Sequence, residues 1–171
     1  MSYSTPKTTA ELLSLVDQAW AALEGAVARL EPAQLTDTRD AAGWAVKDHL
    51  IHVAAWEDFL LARLTGRPTH EALGLDKDAL AQDEDTQNAA IFALHRHRPL
   101  GDVLEAARAS HRATRARLAA LDDGAVAGSV ADIVPPGAER DERPAADWIA
   151  GNTWEHYNAH LGWIRDLVDR G

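Results

Sequence analysis

Four long stretches of the chain carry apolar residues at alternating steps of three and four, and no stretch shows the strict alternation of a half-buried strand. Leu13, Val16, Trp20, Leu23, Val27 and Leu30 mark the first, after a capping sequence Thr8-Thr9-Ala10-Glu11 and before the helix-stopping Pro32. The second runs from Trp44 to Leu64, with Val46, Leu50, Val53, Leu60 and Leu64 on one stripe and Ala45, His49, His52, Trp56 and Phe59 on the adjoining one. Val103, Ala107, Ser110, Thr114, Leu118 and Leu121 form the third, whose small, weakly polar centre fits either close helix approach or room for a ligand. The fourth, Ala145–Arg170, carries Ile149, Thr153, His156, His160, Trp163 and Leu167. Four such segments predict an all-α, antiparallel four-helix bundle whose facing helices project side chains into a shared interior.

The connections are read from their breakers. Glu31–Gly43 is polar, and Arg67–Gln82 reads as a connection with little regular structure, leaving His70 in solvent. Asp85–His97 reads as a short helix ending before Pro99, with His95 and His97 on the surface. Asp122–Pro144, rich in Gly and Pro, reads as a long loop before the last helix with one short turn at Ala125–Ile133. With 171 residues and no internal repeat, the expected organisation is a single domain, 1–171.

Charge and composition narrow the function classes. Lys plus Arg number 17 against 27 Asp plus Glu, a formal charge of −10, which predicts repulsion from phosphate backbones and anionic membranes, hence no nucleic-acid and no membrane partner. The absence of cysteine removes disulfides, thiolate ligands and a cysteine nucleophile together, and the N-terminal Met1–Lys7 has no apolar signal region. A cytoplasmic location is the expectation. Neither a Gly-rich phosphate loop nor a Gly-x-Ser-x-Gly elbow occurs.

What remains is histidine on inward stripes. His156 and His160 lie one turn apart on the last helix, and His52 lies at or beside the core of the second, with His49 a turn earlier. An inward imidazole needs a partner for each ring nitrogen, supplied either by a neighbouring hydroxyl or carbonyl or by a metal ion shared between two helices. His111 sits beside the third stripe and reads as peripheral. Glu57 and Tyr157, each one position from an inward aromatic or histidine, are candidates for orienting an imidazole or for acid–base work, as is Asn152; the plainer readings are an exposed glutamate and a packed tyrosine. Trp56, Trp154 and Trp163 read as filling the core or a subunit interface.

The pattern Trp44-x-Val46-Lys47-Asp48-x-x-x-His52-x-x-x-Trp56-Glu57, with His156-x-x-x-His160 on the last helix, resembles the DinB/YfiT-like superfamily of four-helix bundles. That resemblance implies a divalent metal, nickel or zinc, held by His52, His156 and His160. A narrower likeness, in Asp85-x-Gln87-Asn88-Ala89-Ala90-Ile91-Phe92, Arg98-Pro99-Leu100-x-Asp102-Val103-Leu104, Ser110-His111 and Trp154-Glu155-His156-Tyr157-x-x-His160, is to the ClbS/DfsB branch. The superfamily implies transfer of a low-molecular-weight thiol, whereas the branch implies metal-free hydrolytic opening of an electrophilic ring; a homodimer is implied as well. Three readings follow: a metal-dependent thiol transferase or hydrolase acting on small electrophilic or toxic molecules, a metal-free ClbS-like hydrolase or sequestering protein, and a non-enzymatic bundle whose histidines only stabilise the core.

Overall fold

The computed structural model describes residues 5–169, within which there is no strand and only two isolated β-bridges. The helices are α1 Thr9–Val27, α2 Pro32–Thr36, α3 Val46–Thr65, α4 Thr69–Leu73, α5 Lys77–Leu80, α6 Glu84–His95, α7 Leu100–Leu118, α8 Asp123–Ala127, α9 Val130–Ile133, α10 Ala145–Asn152 and α11 Trp154–Asp169. The bundle is built from α1, α3, α7 and the α10–α11 pair: α3 packs along α7, α11 along α1, and α3 also meets α10 and α11.

Local chemistry sets the boundaries. Thr8 Oγ1 accepts from the Glu11 amide at 3.2 Å and starts α1 as the capping sequence predicts. The first turn of α3 is closed by Asp48, whose Oδ2 accepts from the Ala45 amide at 2.9 Å. Gly66 ends α3 with φ of 74°, a left-handed conformation that a glycine adopts without a Cβ clash. All six residues of the third stripe are buried, and Ser110 Oγ donates to the Ala54 carbonyl of α3 at 3.1 Å, so the small centre of that stripe serves close approach of α7 to α3.

Several expectations are corrected. Residues 67–82 contain α4 and α5, because Leu73 is buried against Ala55 and Ile91 and Asp76 caps α5 through the Ala79 amide at 2.7 Å; His70 is half-buried. The loop before the last helix carries α8 and α9, whose Val126, Val130 and Ile133 are buried. His97 is exposed as predicted, but His95 is half-buried.

The predicted continuous last helix breaks at Thr153, which leaves the helical region at φ −134°, ψ −107° while its Oγ1 donates to the Ile149 carbonyl at 2.7 Å. Restarting at Trp154 turns the buried face toward Trp154, Tyr157, Leu161, Ile164 and Leu167, and Trp163, expected in the core or at a subunit interface, is 54% exposed. The far end of the predicted segment, Arg170, lies outside the described residues, as do Met1–Ser4 and Gly171.

Candidate metal centre

His52 comes from the middle of α3, and His156 and His160 from the first turns of α11. One ring nitrogen from each lies within 4.8 Å of the others, so the three imidazoles the sequence singled out converge on one point. The ring centroids are separated by 5.1 Å (His52–His156), 4.9 Å (His52–His160) and 4.6 Å (His156–His160). Trp44 closes the α3 side, its ring edge-on to His52 at 5.1 Å and stacked on Phe92 of α6 at 5.2 Å.

The electrostatics favour uncharged rings. Burial, followed by the neighbouring His156 and His49, pushes His52 down to about 3, and burial alone pushes His156 down to about 4. His160 is lowered by burial and then by the same histidine neighbours. Neutral imidazoles are the ligand form. Nδ1 of His52 and Nδ1 of His156 are buried without a hydrogen-bond partner among the described residues, whereas Nδ1 of His160 lies 3.0 Å from Nδ1 of His49. An orphaned buried polar atom costs roughly 1–3 kcal/mol, and a cation held there would supply the missing partner. The donor set, three neutral imidazoles and no thiolate, fits zinc or nickel.

A cavity of about 370 Å³ opens on the histidines, with His52 and His156 in its wall beside Trp56, Phe59, Trp148 and Asn152. It shares Phe59, Arg143 and Trp148 with a larger cleft of about 770 Å³ that extends outward past Arg63 and Arg140.

Glu57 and Tyr157 turn away from this cavity and toward each other. Glu57 is fully buried, a correction to its expected exposure; its Oε1 accepts from the Tyr157 hydroxyl and lies 3.2 Å from Nδ1 of His111. His111, read from sequence as peripheral, is buried and stacked on Trp20 with centroids 4.1 Å apart. Burial raises the Glu57 carboxyl above its ordinary range, and burial with the adjacent Glu57 raises the Tyr157 hydroxyl. Asn152 lines the cavity, its amide donating to the Trp148 carbonyl at 2.8 Å. His49, which the sequence places a turn before His52 on the same stripe but to which it assigns no role, is the further histidine that the structure brings to this cluster.

The family model of the DinB superfamily matches residues 15–164, which span the bundle and all three histidines. The chain belongs to the DinB superfamily. Comparison with curated protein sequences gives no match. Among solved structures, it is similar to an uncharacterised protein from Escherichia coli UTI89 (TM-score 0.72, 16% identity, 99% of this chain and 97% of that one). It is similar also to the colibactin self-resistance protein ClbS in complex with a dsDNA (TM-score 0.72, 11% identity, 96% and 97%). A third likeness is to a protein from Streptococcus pneumoniae (TM-score 0.69, 13% identity, 97% and 91%). At these identities the likeness is one of fold.

The ClbS complex corrects one expectation. Net negative charge led to the exclusion of nucleic acid as a partner, yet a bundle of this shape is seen with duplex DNA, so the exclusion does not hold for the fold. Net charge sets the average field at a distance, while local surface decides a contact. Membrane partners are a separate matter: no described helix is long and apolar enough to cross a bilayer.

Proposed function

We propose that this DinB-superfamily protein is a divalent-metal-dependent enzyme acting on small electrophilic molecules, with His52, His156 and His160 holding zinc or nickel. The observation that carries the reading is the convergence of three neutral imidazoles, His52 and His160 buried and His156 half-buried, of which His52 and His156 carry orphaned nitrogens and line a cavity large enough for a small substrate. When bound, the cation supplies Lewis acidity, lowers the pKa of a coordinated water toward ~7 and favours the thiolate form of a thiol. The chain's residues do the rest. His52 and His156 face the cavity and present the reacting centre to it, while His160 braces the site from behind. Trp56, Phe59 and Trp148 give the electrophile an apolar wall, in a cavity also lined by the charged Glu84, Arg143 and Asp147. Because the chain contains no cysteine, sulfur chemistry here requires a low-molecular-weight thiol as co-substrate. Without one, the same site performs hydrolysis.

The deciding experiment is elemental analysis of wild type and His156→Ala after loading with zinc or nickel, paired with turnover of a small epoxide in the presence and absence of added thiol. One metal per chain in the wild type, lost in the variant together with turnover, supports the proposal. Dependence on thiol then separates transfer from hydrolysis. A wild type that stays empty after loading overturns it.

The fold likeness to ClbS favours a second reading, a metal-free self-resistance hydrolase or sequestering protein. It requires protection against an electrophilic toxin by protein stripped of metal.

A further inference from the structure

We propose that Asp40 and His49 are positioning residues that fix the protonation pattern of His160, so that its Nε2 lone pair is the one left for a cation. The inference rests on the three-histidine reading above and concerns how this chain prepares that site.

His49 is buried on α3 one turn before His52, and its Nδ1 lies 3.0 Å from Nδ1 of His160. Two imidazole nitrogens at that distance make a hydrogen bond only if one carries the proton and the other the lone pair. Asp40 decides which. Its Oδ1 accepts from the Ala42 and Trp44 amides, each at 2.9 Å, and its backbone amide donates to the Trp44 carbonyl at 2.9 Å, so a turn closed on both sides holds the carboxylate. Its other oxygen, Oδ2, lies 3.5 Å from Nε2 of His49, a buried nitrogen with no hydrogen-bond partner among the described residues; at that distance the carboxylate acts through its charge, repelling a lone pair on Nε2 and attracting an N–H.

His49 therefore carries its proton on Nε2 and accepts through Nδ1. His160 must then donate from Nδ1, which leaves Nε2 unprotonated. Rings pack around the pair, Trp44 at 5.3 Å and Trp163 at 6.2 Å from His49 and Trp163 at 4.7 Å from His160, and restrict rotation out of this register. Metal-ligating histidines ordinarily direct the second nitrogen to a carboxylate or carbonyl. In this chain a second imidazole is interposed between ligand and carboxylate.

Two measurements test the proposal. In metal-free wild type, long-range 15N–1H correlation spectra should show His160 protonated at Nδ1 and His49 at Nε2, and Asp40→Asn should lose the preference at His49. The reverse assignment overturns the proposal whether or not the protein binds metal. In chelator competition, His49→Phe, which removes the acceptor, should weaken zinc binding about 10–100-fold while still reaching one zinc per chain, and His49→Asn, whose carbonyl oxygen stands near the position of Nδ1, should restore most of the loss. Unchanged affinity in His49→Phe, or loss of the zinc altogether as in His160→Ala, also overturns it, the latter by making His49 a ligand. If the wild type binds no zinc, the three-histidine reading fails and the spectra alone decide the hydrogen-bond order.

Discussion

The Tyr157 hydroxyl of α11 donates to Glu57 Oε1 of α3, across 100 residues of sequence and in a part of the core with no solvent exposure at either residue. The same oxygen faces His111 of α7, so a single carboxyl joins three of the four bundle helices. Tyr157→Phe should lower unfolding free energy by about 1–3 kcal/mol, the cost of leaving a buried acceptor short of a donor. Urea denaturation at neutral pH measures it, and an unchanged midpoint would show that the bond contributes nothing net.

The buried Glu57 carboxyl also gives stability a pH dependence of defined sign. Burial, outweighing the bonds from His111 and Tyr157, raises it above the ordinary value of 4.5 that it has in the unfolded chain. The folded state thus holds this proton more tightly, so its contribution is complete below about pH 4.5 and is lost as pH rises through the folded value. Glu57→Gln cannot ionise, and its stability should fall less steeply than that of wild type above that pH. Parallel curves for the two proteins would refute the assignment.

His52 and His156 act in the opposite direction in metal-free protein. Their ordinary value is 6.5, and burial lowers them to about 3 and about 4. Their contribution is present above pH 6.5 and is lost as pH falls through about 4 and then about 3, with each contributing a slope of up to about 1.4 kcal/mol per pH unit. Denaturation midpoints of the metal-free wild type should therefore drop below pH 6.5, and His52→Leu should show a shallower drop.

Bound metal should appear directly as stability. Free zinc at a hundred times its dissociation constant should add about 2.7 kcal/mol to wild type and nothing to His156→Ala, and a chelator should reverse the gain. Equal gains in both proteins would place the zinc elsewhere.

Periodicity carried the four-helix architecture because α1 and α7 each bury one face along their length, and the stripe from Val103 to Leu121 is buried at every position named from sequence. Spacing alone put His156 and His160 on one helical face and His52 at or beside the core; it was the resemblance to the DinB/YfiT-like superfamily that joined the three as one set. The break at Thr153 was not read from the sequence, although Gly151 and Asn152, both weak helix formers, stand directly before it; there the backbone leaves the helical region while the threonine hydroxyl donates to the Ile149 carbonyl. Nor was the burial of Glu57 or His111, whose partners lie 54 and 100 residues away and are joined only by packing.

The small apolar cluster of Ala55, Leu73 and Ile91 stands apart from the main core. Beyond it, α6 is tied to α3 by Asn88 accepting from Trp56 Nε1 at 3.1 Å, and the turn after α6 is held by Lys47 Nζ donating to the Arg96 carbonyl at 2.7 Å. With Ile91 as the sole buried side chain of α6, that segment should open at lower free energy than the bundle. Amide protons of α4 to α6 should therefore exchange with solvent as one early group, and those of α3 and α11 last. Trp56 and Phe59 pack on this same cluster and line the histidine cavity, so the flank of the cavity can breathe while the helices bearing the three imidazoles stay folded.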